Sequence, residues 1–318
     1  MTKSVPTKPT ASLLSRPING WGLLGNLGPC ERLALGFLAA LCTVTVFRSH
    51  QPLWFLGCSA VLAVAIVAVA WWGPRSRIGG FMRDFSSIPV VLTLFMLVGP
   101  LIADSNAWRA DSLLASLDAR WFGDLPERWK GLLGRPDWLT DAASLAYLSY
   151  YWLPILMLVG LYVQKRRAQM EDFVFQMMLV IFVFYASYFF APAVGPRVKP
   201  ELEDAVLGGG IISQLVRSFL RAAEPGQLDA FPSGHTGVSV ACFMLGWRLF
   251  PRRRIPTLLI VAGIIFSTVY LSLHYVIDLF AGAIVGPLAL AVAPRIYKLC
   301  EPVPRRGSSQ PIEPEALF

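Results

Sequence analysis

The chain has 318 residues, of which 55% are hydrophobic and 15% charged, and its mean hydropathy is +0.56. A soluble domain carries about 25% charged residues, so this composition excludes an ordinary soluble enzyme, a disordered chain and a collagen-like one. The formal net charge is +8, but the basic residues are not clustered as a nucleic-acid face would need, and no nucleic-acid partner is expected.

The first residues, MTKSVPTKPTASLLSRPING, are polar and Pro-containing and lack the small-residue cleavage pattern of a signal peptide. They read as a cytoplasmic tail over 1–32. Eight apolar stretches follow, near 33–48, 52–73, 88–104, 142–163, 172–190, 235–250, 255–271 and 274–294. About 20 residues, within a range near 17–25, cross a bilayer as a helix. The expected fold is therefore all-α, a polytopic membrane helical bundle of about eight transmembrane helices. Basic residues set its orientation. With eight crossings and a cytoplasmic N-terminus, most of the 28 Lys and Arg residues fall on the cytoplasmic side, including the runs 165–167 and 252–254. Both termini are then cytoplasmic, and 295–318 reads as a disordered tail. The short connections suit a bacterial inner or plasma membrane.

Two long loops lie on the outer side. Residues 105–141 contain Trp108, Trp121, Trp129 and Trp138, and Leu113, Leu114 and Leu117 recur at helical spacing with Trp121 continuing the face. This predicts an amphipathic helix, either lying in the outer interface or capping the bundle. The second loop, 191–232, carries Gly208, Gly209 and Gly210. Cys30, Cys42, Cys58, Cys242 and Cys300 are scattered without CxxC or metal-ligand spacing, which predicts neither a disulfide framework nor a metal site.

Histidine is scarce: His50, His235 and His274. His50 sits in the first outer turn without comparable neighbours and reads as solvated or interfacial. The other two fall at outer helix ends, in AFPSGHTG and STVYLSLHYVIDLFAG. His274 and Asp278 are four apart, so they share a helix face. A carboxylate that takes the proton of one ring nitrogen leaves the other nitrogen free to attack. The same pair also suits a structural tie or half a metal site. Ser233 is a candidate N-cap. Gly234 lets an anion approach the free amides of a first helical turn, and His235 stands ready there as proton donor. Arg197 offers a fork suited to phosphate and Lys199 a mobile charge, although headgroup anchoring is the simpler role for both. Together these residues describe a phosphoester reaction. His274 attacks phosphorus with Asp278 behind it, His235 protonates the leaving oxygen, and Ser233, Gly234 and Arg197 hold the phosphate. No cofactor is called for. Water as acceptor makes a phosphatase; an alcohol makes a phosphotransferase.

These segments resemble the signatures of the type 2 phosphatidic acid phosphatase superfamily. Pro232, Ser233, Gly234 and His235 match its second segment, and Ser267, His274 and Asp278 match the Ser, His and Asp of its third. The family's third-segment Arg falls at Thr268, and the Lys of its first segment falls at Phe190. The stretch YLSLHYVIDLFAG, with Tyr270, His274, Tyr275 and Asp278, is more similar to the inositolphosphotransferase branch, which includes inositol phosphorylceramide synthases. The resemblance covers roughly 185–285. It implies a six-helix catalytic core over 88–294, with 33–87 as an N-terminal addition. It implies a phospholipid donor and a lipid or polar alcohol acceptor at the non-cytoplasmic face, with Tyr270, Tyr275 and Ser267 as possible substrate contacts. A lipid or polyprenyl diphosphate phosphatase is the nearest alternative. A transporter, marked by its intramembrane ionisable residues, and a non-catalytic scaffold are others.

Overall fold

A computed structural model describes residues 23–197, 208–223 and 228–301. Among them are twelve α-helices: α1 (Pro29–Arg48), α2 (Pro52–Trp72), α3 (Arg77–Phe85), α4 (Ser87–Ser105), α5 (Asp111–Phe122), α6 (Leu125–Leu133), α7 (Asp137–Val163), α8 (Arg167–Ser187), α9 (Ile211–Ala223), α10 (Gly234–Leu249), α11 (Arg254–Tyr270) and α12 (Val276–Cys300). Every expected apolar stretch is helical. Seven of these helices are long and apolar enough to cross a membrane. The remaining stretch forms α10, which has 16 residues and so is only about 24 Å long at 1.5 Å per residue. The last helix continues to Cys300, past the expected boundary at 294. Residues 1–22 and 302–318, which hold most of both expected tails, lie outside the described residues.

The outward faces are apolar. Leu53, Val61, Val64, Trp152, Leu156 and Leu288 are all exposed on long helices, as lipid-facing side chains should be. In lipid, helices gain little from hiding apolar surface from one another, so close packing of small residues holds them together. The junction of α10 and α12 is built this way. A Cβ on Gly286 would overlap the Gly237 carbonyl oxygen and lie 2.9 Å from its carbon. A Cβ on Gly282 would overlap the carbonyl oxygen of Ser233. Only glycine lets the two backbones touch, and this contact brings the PSGH segment against the start of α12. α10 also packs on α7, α8 and α11, which makes it the centre of the bundle. α1, α2 and α4 form a group that docks on α8 through α1 and α4.

The two ends of the bundle differ. At one, Arg166 donates to the Leu249 carbonyl at 2.7 Å, so the basic turns 165–167 and 252–254 lie together. At the other, the Ser233 amide donates to the Asp278 carbonyl at 3.0 Å. The 105–141 segment lies at this second end and folds as α5 and α6. Its expected single apolar face is only half realised. Leu114 and Asp118 are buried, while Leu113 and Trp121 point outward. The packing face is centred on 114 and 118, one residue round from the predicted stripe, because two of its acids hold backbone amides of the neighbouring segments. α9 falls within the second expected loop. It turns Ile211, Leu215 and Phe219 outward and Ser213, Val216 and Arg217 inward.

Candidate active site

The site gathers at the first turn of α10 and the connection from α11 to α12. Ser233 is the N-cap of α10, its hydroxyl accepting from the Thr236 amide at 3.2 Å. His235 occupies the first turn, 7% exposed. His274 is not on α12 itself: the helix begins at Val276, with Tyr275 as N-cap. It projects instead from a tight turn in which the Leu273 and His274 amides both donate to the Thr268 carbonyl, at 2.9 and 3.2 Å.

The two histidines meet. His274 Nε2 lies 3.4 Å from His235 Nδ1, and the ring centroids are 5.6 Å apart. His274 Nδ1 lies 2.9 Å from the Ala230 carbonyl oxygen and 3.4 Å from Asp278 Oδ2. A carbonyl oxygen only accepts, so Nδ1 carries the proton and Nε2 keeps its lone pair. The tautomer expected from the His–Asp spacing is therefore present, but a backbone carbonyl is its nearer support. Asp278 shares its Oδ2 with the Tyr275 amide at 2.9 Å, capping α12. Its other oxygen is buried with no hydrogen-bond partner among the described residues.

Arg197 lies beside this group, with Nη2 3.4 Å from Asp229 Oδ1, one residue before Ala230. A parallel bridge joins Ala193 to Asp229, tying the Arg197 segment to the PSGH segment. α5 clamps both sides. Asp111 accepts the Val194 and Gly195 amides, each at about 3 Å, and Asp118 accepts the Ile277 amide at 2.9 Å. Among the predicted contacts, Lys199 lies outside the described residues. Gly234 also has a packing role: the Tyr188 hydroxyl fills the space of its missing side chain. Ser267 is buried, its hydroxyl donating to the Ile264 carbonyl of its own helix. Tyr270 turns toward α6 and α7, its hydroxyl bonded to the Gly134 carbonyl at 3.1 Å. Neither belongs to the histidine pair. Burial first, then the charges of Asp111, Asp278 and Asp118, pushes the Tyr275 phenol above its ordinary value. Phe190, where the resemblance places a lysine, is exposed. His50 is exposed in the turn between α1 and α2, with its amide on Asp104.

Sequence reasoning missed a tyrosine clamp. Tyr147 stacks on His235 at 4.3 Å, and Tyr150 covers it at 4.2 Å. The signal was there: 147, 150 and 151 share one face of α7 by helical spacing. Which face meets α10 is a tertiary fact. A narrow pocket lies nearby, lined by Phe95, Val98, Ile102, Tyr188, Leu228 and Asp229.

Comparison with known proteins completes the picture. A family model described as the PAP2 superfamily matches residues 112–292, from α5 into α12. The chain belongs to the PAP2 superfamily. α1 to α4 lie outside the match. A PA-phosphatase related-family protein of Dictyostelium discoideum is 26% identical over 163 residues, covering 45% of this chain and 30% of that protein. The chain thus spans less than a third of that relative's length. No solved structure matches.

Proposed function

We propose that this protein transfers a phosphoryl or alcohol-phosphate group from a phospholipid donor to a hydroxyl acceptor, through a phosphohistidine on His274. The observation that carries the reading is the pair of buried imidazoles. One has its nucleophilic Nε2 prepared by the Ala230 carbonyl, and the second stands 3.4 Å away. His274 Nε2 forms a bond to phosphorus as the bond from phosphorus to the leaving oxygen breaks. That oxygen takes a proton from His235. His235 then removes the proton of the acceptor hydroxyl, whose oxygen attacks phosphorus and releases His274. Asp278 balances the charge that His274 gains. Ser233, the first amides of α10 and Arg197 hold the non-bridging oxygens, and Lys199 adds charge. A phosphorus bonded to Nε2 does not fit within a 3.4 Å gap between nitrogens, so substrate binding parts the two rings.

Two further features extend the reading. The LHYVID stretch favours the inositolphosphotransferase branch, with an alcohol as acceptor. The basic turns lie at the opposite end of the bundle from the histidines, which supports reaction at the non-cytoplasmic face. The phosphatase reading, with water as acceptor, is favoured by the description of the Dictyostelium relative. The deciding experiment supplies phosphate-labelled lipids in nanodiscs, with and without alcohol acceptors. Label should appear on His274 and move to the acceptor. Free phosphate released without acceptor at the same rate refutes obligate transfer. Label on another residue, or turnover surviving H274A, refutes the mechanism.

A further inference from the structure

Resting on that reading of His274, we propose that Lys130 is a positioning residue for the nucleophile, holding the turn that carries it. Lys130 lies on α6, far from the signature segments in sequence, yet it is 7% exposed. Its ammonium donates to the Ser272 hydroxyl at 3.2 Å and pairs with Glu127 at 2.6 Å. Ser272 has φ of +57°, a left-handed conformation that glycine adopts freely and serine adopts at a cost. His274 follows two residues later. The Thr268 carbonyl accepts both the Leu273 and His274 amides, and the Val269 carbonyl accepts the Ser272 amide at 3.0 Å, so the backbone of the turn is anchored to the end of α11 while the Ser272 side chain is held from α6. Thr268 is also where the resemblance places an arginine, so a cation is missing from the helix side and another arrives from α6.

The platform beneath Lys130 is aromatic. Trp129 packs on Phe266 and Tyr270, and the Tyr270 hydroxyl bonds to the Gly134 carbonyl just beyond α6. Stability alone does not call for a lysine here. The Glu127 carboxylate is exposed, so water screens its pair with Lys130 and the pair adds little to stability. What only a donor supplies is a hold on the Ser272 hydroxyl, and through it a fixed left-handed residue ahead of the nucleophile.

The test is single-turnover formation of phosphohistidine in full-length protein in nanodiscs, with a phosphate-labelled lipid. K130M is expected to slow His274 labelling at least tenfold with KM within threefold of wild type, because Lys130 touches the turn and not the substrate. K130R, which keeps a donor, should recover most of the rate. S272A removes the same bond from the other side and should reproduce the loss, which keeps the test open if K130M folds poorly. In an S272G background, where the left-handed turn needs no support, K130M should cost less than threefold. A wild-type labelling rate in both K130M and S272A overturns the proposal. So does a rise in KM at unchanged kcat, which makes Lys130 a substrate contact, or an undiminished loss in the S272G background. Absence of label from His274 in the wild type is a separate outcome and overturns the reading of the site itself.

Discussion

G282A is the sharpest test of how helix packing controls the site. The new Cβ would overlap the Ser233 carbonyl oxygen and lie 3.2 Å from the Ser233 carbonyl carbon and 3.3 Å from the Gly237 nitrogen. Carbon contacts are optimal at about 3.5–4.0 Å, and these partners are backbone that cannot rotate aside. α12 must therefore withdraw from α10 by roughly 0.5–1 Å. The Ser233 amide bond to the Asp278 carbonyl, 3.0 Å long, stretches with it, and Asp278, which backs His274, shifts relative to His235 on α10. A misplacement near 1 Å costs about 10²-fold in rate, or about 2.7 kcal/mol of transition-state stabilisation. The overpacking itself destabilises the fold by about 1–3 kcal/mol. The measurement is kcat/KM per folded protein, alongside thermal melting in the same nanodiscs. Gly57 on α2 is the internal control, since a Cβ there meets nothing within 4 Å, and G57A should leave both quantities unchanged. G282A with kcat/KM within threefold of wild type would refute the claim that this glycine contact sets the site.

Three further outcomes follow from named contacts. Y147L removes an aromatic face stacked at 4.3 Å on His235; with cation–π contacts worth about 0.5–2 kcal/mol, turnover should fall roughly 2- to 30-fold, and Y147F should lose little. Equal losses in the two variants would assign the effect to the hydroxyl. D278N keeps the size of the side chain and leaves the Ala230 carbonyl on His274 Nδ1, so it should retain measurable turnover where H274A retains none, a difference read in a long endpoint assay. At the other end of the bundle, R83M breaks the 2.7 Å pair with Glu31 and the bond to the Asn26 carbonyl. The partners are partly exposed, so the expected loss lies between surface and buried values, about 1–3 kcal/mol. It should appear as a lower melting temperature with turnover per folded protein unchanged.

Much of this was legible in the residues. Runs of apolar residues near bilayer length announced all the long helices, and α10 departs from them only by being short. The PSGH and LHYVID segments named His235, His274 and Asp278 directly. Local chemistry was readable too: Ser233 caps α10 as its residue type suggests. What the residues alone leave open is the partner each side chain meets. Ser267 and Tyr270 match or neighbour signature positions, yet the first bonds to its own helix and the second to the segment after α6. Gly234 also makes room for the Tyr188 hydroxyl, and the face of α5 is set by the amides that Asp111 and Asp118 hold.

The sequence by itself determined a membrane bundle, the place of its long helices and the candidate chemistry-bearing side chains, because hydrophobic length and local motifs are properties of contiguous residues. Only the tertiary structure decided which side chains meet. It put His274 in a turn before its helix, gave its Nδ1 proton to the Ala230 carbonyl, closed two tyrosines over His235 and brought Lys130 to Ser272. Each of these contacts joins residues that only the packing of separate helices brings together, and no periodicity within one segment records its neighbour's face.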